Sequence, residues 1–112
     1  MKETAKKLLI LIEQGNAYKT FPAKKEGNVI IQGHIQYDFC FYDLVKKLGP
    51  DYEYRQHIEA VKQKSIVELT ISEIATYFTW LDRGERFYDG LIASHIDNGT
   101  VTQLLERLID LC

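Results

Sequence analysis

Apolar residues recur at helical spacing along most of the chain. Apolar side chains at every third or fourth position predict amphipathic helices. They predict helices over residues 4–14, 37–48, 50–64, 70–83, 85–98 and 100–111. The first of these carries apolar residues almost all the way round, so we expect it to be buried against several partners.

Residues 16–36 break this pattern. Pro22, Gly27, Asn28 and Gly33 interrupt the segment, and residues 29–31 form a short β-branched run. We interpret the segment as a long loop with one extended piece, or as a short hairpin around Gly33. The fold class that follows is mainly α: a single-domain bundle of five to six helices over residues 1–112, with a long loop or short hairpin after the first helix.

Two helix starts carry the pattern of a capping box. Thr70 is followed three residues later by Glu73, and Thr100 is followed by Gln103. In the helix after Thr70 the apolar residues fall on one face, and polar residues fall on the other. That polar face contains Thr76, Thr79, Asp82 and Arg83.

Length and composition are those of an ordinary globular domain. The chain has 112 residues, of which 46% are hydrophobic and 27% charged. A formal net charge of −2 gives no global attraction to nucleic acid or to anionic lipid. The run from Leu8 to Ile12 is much shorter than the roughly 20 apolar residues of a membrane span, so we expect no membrane partner.

The sequence contains few motifs that carry chemistry. Cys40 and Cys112 lie far apart and form no metal-binding or disulfide pattern, which favours a reduced, cytoplasmic protein. The three histidines lack metal-ligand spacing, and neither a nucleophile elbow nor a phosphate-binding loop occurs. We therefore assign no catalytic residue, no cofactor and no metal site.

A helix-turn-helix arrangement is the remaining route to nucleic acid. Its candidate recognition helix, residues 85–98, carries three acids and only Arg86 as a base. Such a helix would be repelled by phosphates, so the sequence argues against a nucleic-acid partner.

The segment WLDRGERFYDG, residues 80–90, concentrates charge in the most aromatic part of the chain. We call Arg83, Glu85, Arg86 and Asp89 the charged corner. In a structural interpretation, the acids complement a helix N-terminus, Arg86 pairs with Asp89, and the glycine at 84 permits a tight turn. In a binding interpretation, Arg83 and Arg86 hold a phosphate or carboxylate. In a third interpretation, Glu85 and Asp89 bind a divalent metal ion. Such a site needs further carboxylates from another helix, and the sequence contains no E-x-x-E/D element that would supply them.

The segment from Tyr77 to Leu108 resembles the C-terminal signature of a bacterial domain family of unknown function. The signature reads R-G-E-R-F-x-D-G-L and is matched at residues 83–91, where Tyr88 occupies a position that is often cysteine in the family. This resemblance implies a small bacterial cytoplasmic protein and supplies no activity.

These observations favour a non-catalytic protein-interaction or regulatory module. The alternative is a small enzyme or binding protein for a phosphorylated or nucleotide ligand, which would use the charged corner. The chain is rich in tyrosine, a residue favoured at interfaces, so a protein partner or a homodimer is also expected. The tyrosines considered are Tyr37, Tyr42, Tyr52, Tyr54, Tyr77 and Tyr88.

Overall fold

The computed structural model describes residues 1–51 and 53–112. Within these ranges the α-helices are α1 (Lys2–Glu13), α2 (Phe39–Leu48), α3 (Tyr54–Gln63), α4 (Ile71–Glu85), α5 (Leu91–Asp97) and α6 (Thr100–Leu111), and a 3₁₀ turn spans Ile66–Glu68. The strands are β1 (Tyr18–Phe21), β2 (Lys24–Glu26), β3 (Val29–Ile31) and β4 (His34–Tyr37). The mainly α prediction is confirmed, whereas a pure helical bundle is not, because the strands form a separate element.

The segment after α1 is a long β-hairpin. Strand β1 pairs with β4 and β2 pairs with β3, both antiparallel and in one common register. The turn lies at residues 27–28, where Gly27 has a φ of 59°, as the first position of a type II′ turn requires. The predicted turn at Gly33 is therefore wrong. Gly33 instead lies where the strands approach closely, since a Cβ there would be 2.9 Å from the backbone nitrogen of Ala23.

Helix α4 occupies the centre of the molecule. It packs against α2, α3, α5 and α6, so it is enclosed on nearly all sides. Its polar face is consequently buried at three positions: Thr76, Thr79 and Asp82 are buried, and only Arg83 remains partly exposed. Burial of polar groups costs free energy unless they are hydrogen-bonded, and the two threonines are.

The threonines of α4 hold the corner between α2 and α3. The Thr76 hydroxyl donates to Asp51 Oδ2 at 2.6 Å, and Thr79 Oγ1 accepts from the Asp51 backbone N–H at 3.1 Å. Gly49 permits this approach, because a Cβ there would lie 2.7 Å from the Thr79 backbone nitrogen. Helices α3 and α4 are thereby fixed side by side.

The hydrophobic core is built around α4 and the inner faces of α1, α2 and α6. Helix α1 packs on α6 and α2, with Ala5 and Leu8 buried. It is less enclosed than expected, since Ile10 is 51% exposed. No helix in the described part of the chain has the length and apolar content needed to cross a bilayer.

The two predicted capping boxes have different outcomes. The first is confirmed: the Glu73 backbone N–H donates to Thr70 Oγ1, and the Thr70 N–H donates to Glu73 Oε1. The second is wrong, because α6 starts one residue earlier than that motif requires. Gly99 is its N-cap, and the Thr100 N–H is bound by the Asn98 side chain at 3.0 Å.

The predicted helix over residues 85–98 is also wrong at its start. Helix α4 continues through Gly84 to Glu85, a turn follows, and α5 begins at Leu91. Gly84 serves packing rather than helix termination, because a Cβ there would lie 2.5 Å from Leu91 Cδ2. The candidate recognition helix is thus reduced to the short α5.

Candidate functional site

The charged corner separates its acids from its arginines. Glu85 and Asp89 contact the hairpin, whereas Arg83 and Arg86 line a cleft beside α3. The predicted pairing of Arg86 with Asp89 does not occur. Among the described residues, neither arginine has a carboxylate oxygen within 4.0 Å.

Glu85 provides the N-terminal cap of α5. Its Oε2 accepts the Gly90 backbone N–H at 2.6 Å, and its Oε1 accepts the Ile92 N–H at 2.9 Å. The N-cap residue itself, Gly90, has no side chain to do so and adopts a left-handed φ of 90°. A carboxylate at this position satisfies otherwise unpaired donors and complements the positive end of the helix dipole.

Tyr37 connects the hairpin to this cap. Its hydroxyl donates to Glu85 Oε1 at 2.5 Å and accepts the Ala93 backbone N–H at 2.9 Å. Burial, followed by the hydrogen bond to Glu85, raises the pKa of Tyr37 well above its ordinary value. The hydroxyl therefore keeps its proton throughout the physiological range, as its donor role requires.

Two further contacts attach the hairpin to the α5 region. The Ile35 backbone N–H donates to Asp89 Oδ2 at 3.3 Å, and the Tyr18 hydroxyl donates to Asp97 Oδ1 at 2.5 Å. The hydrogen bond to Asp97, together with burial, raises the pKa of Tyr18. The two acids of the charged corner, Glu85 and Asp89, therefore both join the hairpin to the helices.

The arginines lie on the other side of the corner. They line an open cleft of about 310 Å³, which we call the arginine cleft, and its wall is formed by Tyr54, Arg55, Arg83, Arg86 and Phe87. The first two residues begin α3, and the others come from the last turn of α4 and the turn after it. Packing of α3 against α4 brings these segments together.

The guanidinium groups of the arginine cleft are largely without internal partners. Arg55 Nε donates to the Tyr54 hydroxyl at 3.3 Å. In the described part of the chain, the side chains of Arg83 and Arg86 make no hydrogen bond and no ion pair. Since an arginine carries five N–H donors in a planar fork, the cleft presents many donors and positive charges that form no ion pair with the described residues.

A buried acid lies near Arg86 but forms no ion pair with it. Asp82 is only 6% exposed, and its Oδ1 is the one buried side-chain oxygen among the described residues that lacks a hydrogen-bond partner. Burial and the negative charge of Asp82 raise the pKa of Tyr42 to about 12, and Arg86 acts in the opposite direction. Arg86 therefore lies within electrostatic reach of this pair, yet forms no ion pair with Asp82.

Sequence reasoning located Arg83 and Arg86 but missed Tyr54, Arg55 and Phe87 as members of the same cleft. No local signal marked them, because the start of α3 also carries an acid, its N-cap Glu53, beside Arg55.

The molecule also has a larger groove, of about 620 Å³. It lies between strands β1 and β4 of the hairpin, the end of α1 with the loop that follows it, and the start of α2. Its charged lining residues are Lys19 and Asp38, whose charges are of opposite sign. Asp38 is already occupied as the N-cap of α2, where it accepts the Phe41 N–H. Over the described residues, no group of three or more histidine, cysteine or acidic side chains could hold a metal ion.

Comparison with known proteins places the chain in a family. Residues 5–112 match the model of a family of unknown function, DUF6508, and the chain belongs to that family. No curated protein and no solved structure matches it. The match includes the whole charged corner and the arginine cleft. The bacterial origin implied by the resemblance remains a prediction.

Proposed function

We propose that the protein is a non-catalytic binding module and that the arginine cleft holds an anionic group of its ligand. The observation that carries this proposal is the convergence of three arginines on one cleft, two of which have no partner among the described residues. Arginine forks match carboxylate and phosphate oxygens, and such charge-assisted bonds are short and strong.

Electrostatics supports the same role. Three like charges on one cleft repel one another. Among the described residues the arginines form no ion pair with the fold, so an anion would relieve this repulsion. This combination favours a ligand role over a structural one.

The geometry of the acids supports a non-catalytic module over an enzyme. A general base or metal ligand needs free carboxylate lone pairs, whereas the Glu85 carboxylate accepts one hydroxyl and two backbone N–H groups. Asp89 accepts the Ile35 N–H. The enzyme alternative drawn from the sequence used these two acids.

The anionic group can belong to a small molecule or to a side chain of a partner protein. The partner or homodimer expected from the tyrosines remains a prediction. Of those tyrosines, Tyr52 lies outside the described residues, Tyr37, Tyr42, Tyr54 and Tyr77 are largely withdrawn from solvent, and Tyr88 is 65% exposed.

The direct test is a titration of the protein with pyrophosphate, followed by amide ¹H–¹⁵N chemical shifts. We expect saturable shifts at residues 54–55 and 83–87. The double variant Arg83→Ala/Arg86→Ala should lose them. The matched control is Lys6→Ala/Lys7→Ala, which removes the same charge from exposed positions of α1 and should bind pyrophosphate like the parent.

The titration has two outcomes that overturn the proposal. One is shifts spread over the exposed lysines, with equal weakening in the arginine and lysine variants, since this indicates general charge attraction. The other is no shift at all at millimolar pyrophosphate.

A further inference from the structure

The arginine cleft has an aromatic wall as well as a basic one. Phe87 is 84% exposed although it lines the cleft. Its backbone belongs to the turn after α4, where the Phe87 N–H donates to the Gly84 carbonyl at 3.0 Å. Tyr54, at the start of α3, supplies the second aromatic side chain of the wall.

An exposed phenylalanine beside guanidinium groups needs a reason that core packing does not give. Single exposed apolar residues are common on protein surfaces. Here, however, Phe87 lines the same cleft as Arg83 and Arg86 rather than lying apart from them. A flat apolar surface next to a cluster of anion donors is complementary to a ligand that joins a ring to an anion.

We propose that the ligand of the cleft is a phosphate ester whose organic part carries a flat aromatic ring, as in a mononucleotide or an aryl phosphate. This inference rests on the proposed function and adds to it. The arginines bind the phosphate, and Phe87 and Tyr54 stack on or against the ring. Aromatic side chains bind nucleobases in this way irrespective of base identity.

The size of the cleft fits such a ligand. Its volume of about 310 Å³ lies at the lower end of the range for small-molecule sites. This is room for one ring and one phosphate rather than for a long polymer. The open form of the cleft also leaves the ring partly in solvent, so we expect modest affinity.

The test compares four probes on the full chain by calorimetric or chemical-shift titration: inorganic phosphate, ribose 5-phosphate, adenosine monophosphate and phenyl phosphate. A stacked ring should tighten binding by about tenfold or more over the two ringless probes. Tighter binding of adenosine monophosphate than of phenyl phosphate assigns a nucleotide, and the reverse order assigns an aryl phosphate.

A variant pair separates the ring contact from the phosphate contact. Phe87→Leu should reduce the advantage of the ring-bearing probes to about twofold or less while the affinity for inorganic phosphate stays unchanged. Tyr88→Leu is the matched control, because Tyr88 is also exposed but lies outside the cleft lining. It should behave like the parent protein.

The outcomes distinguish the two proposals. Equal affinity for all four probes overturns the aromatic ligand and leaves the anion site intact. An undiminished ring advantage in Phe87→Leu also overturns it. Failure of every probe to bind overturns both the aromatic ligand and the anion site.

Discussion

The acids and the arginines of the charged corner lie one to three positions apart in sequence but differ in what they contact. Glu85 caps α5 and binds the hairpin through Tyr37. Arg83 and Arg86 contact no described carboxylate and face an open cleft. The acids are thus committed to the fold, and the arginines remain available to a ligand.

This difference shows that alternating charges need not neutralise one another. Local proximity in sequence favours pairing only if the backbone places the side chains on one face. Here α4 extends to Glu85 and a turn follows, so the acids point toward α5 and the hairpin while the arginines point toward α3. Variants that remove the acids and the arginines separately test this division of roles.

The largest effect is expected for Glu85→Ala. It leaves the backbone N–H groups of Gly90 and Ile92 and the hydroxyl of Tyr37 without their acceptor. The unfolding free energy should fall by about 3 kcal/mol, which lowers the midpoint by about 12 °C or more. Thermal unfolding followed by circular dichroism measures this loss.

Glu106→Ala, at an exposed position of α6, is the control and should change stability by about 0.5 kcal/mol or less. Equal effects in the two variants would contradict the capping role.

Tyr37→Phe should have a smaller effect, with a characteristic pH dependence. Near neutral pH the loss of one donor and one acceptor should cost about 1–2 kcal/mol. Tyrosines of the unfolded chain ionise near pH 10.0, whereas the raised pKa of Tyr37 keeps its proton on in the folded state. The unfolded state therefore binds fewer protons above pH 10, and the stability of the parent falls as pH rises beyond that value.

Denaturant unfolding between pH 8 and pH 11 measures this dependence. We expect the decline above about pH 10 to be shallower in Tyr37→Phe than in the parent, because one titrating group has been removed. Parallel curves for the two proteins would show that Tyr37 has an ordinary pKa in the folded state.

Asp89→Ala should have a smaller effect still. The bond that Asp89 accepts from the Ile35 N–H is 3.3 Å long and exposed to solvent, so water can replace it. We expect a loss of about 0.5–1 kcal/mol in chemical denaturation. A loss as large as that of Glu85→Ala would mean that the acids share the structural role equally.

Much of the fold was predictable from local sequence. Helical periodicity located most helices, and the Thr70–Glu73 capping box fixed the start of α4, because these signals depend on residues within one or two turns. The hairpin was harder to predict from the sequence. Strands β1, β2 and β3 are nearly all exposed, so they lack the alternation of buried and exposed residues that marks a half-buried strand, and only the short β4 shows it.

The errors near the site come from tertiary contacts. Gly84 resembled a helix stop, but in the fold it makes room for Leu91. Thr76 and Thr79 lie on the polar face of α4, and tertiary packing buries them where they bind Asp51. Arg55 joined the cleft only because α3 packs on α4, a contact that spacing along the chain does not encode.

The smallest effect on stability is expected for Arg83→Ala/Arg86→Ala, and this variant tests the division between acids and arginines most directly. The measurement is thermal unfolding of parent and variant, with and without pyrophosphate at matched ionic strength. Without ligand, the two midpoints should agree within about 4 °C. Pyrophosphate at about 100 times its Kd should raise the midpoint of the parent by on the order of 10 °C and leave that of the variant unchanged. A fall of about 8 °C or more in the unliganded variant, or an equal rise in both proteins, would contradict the account.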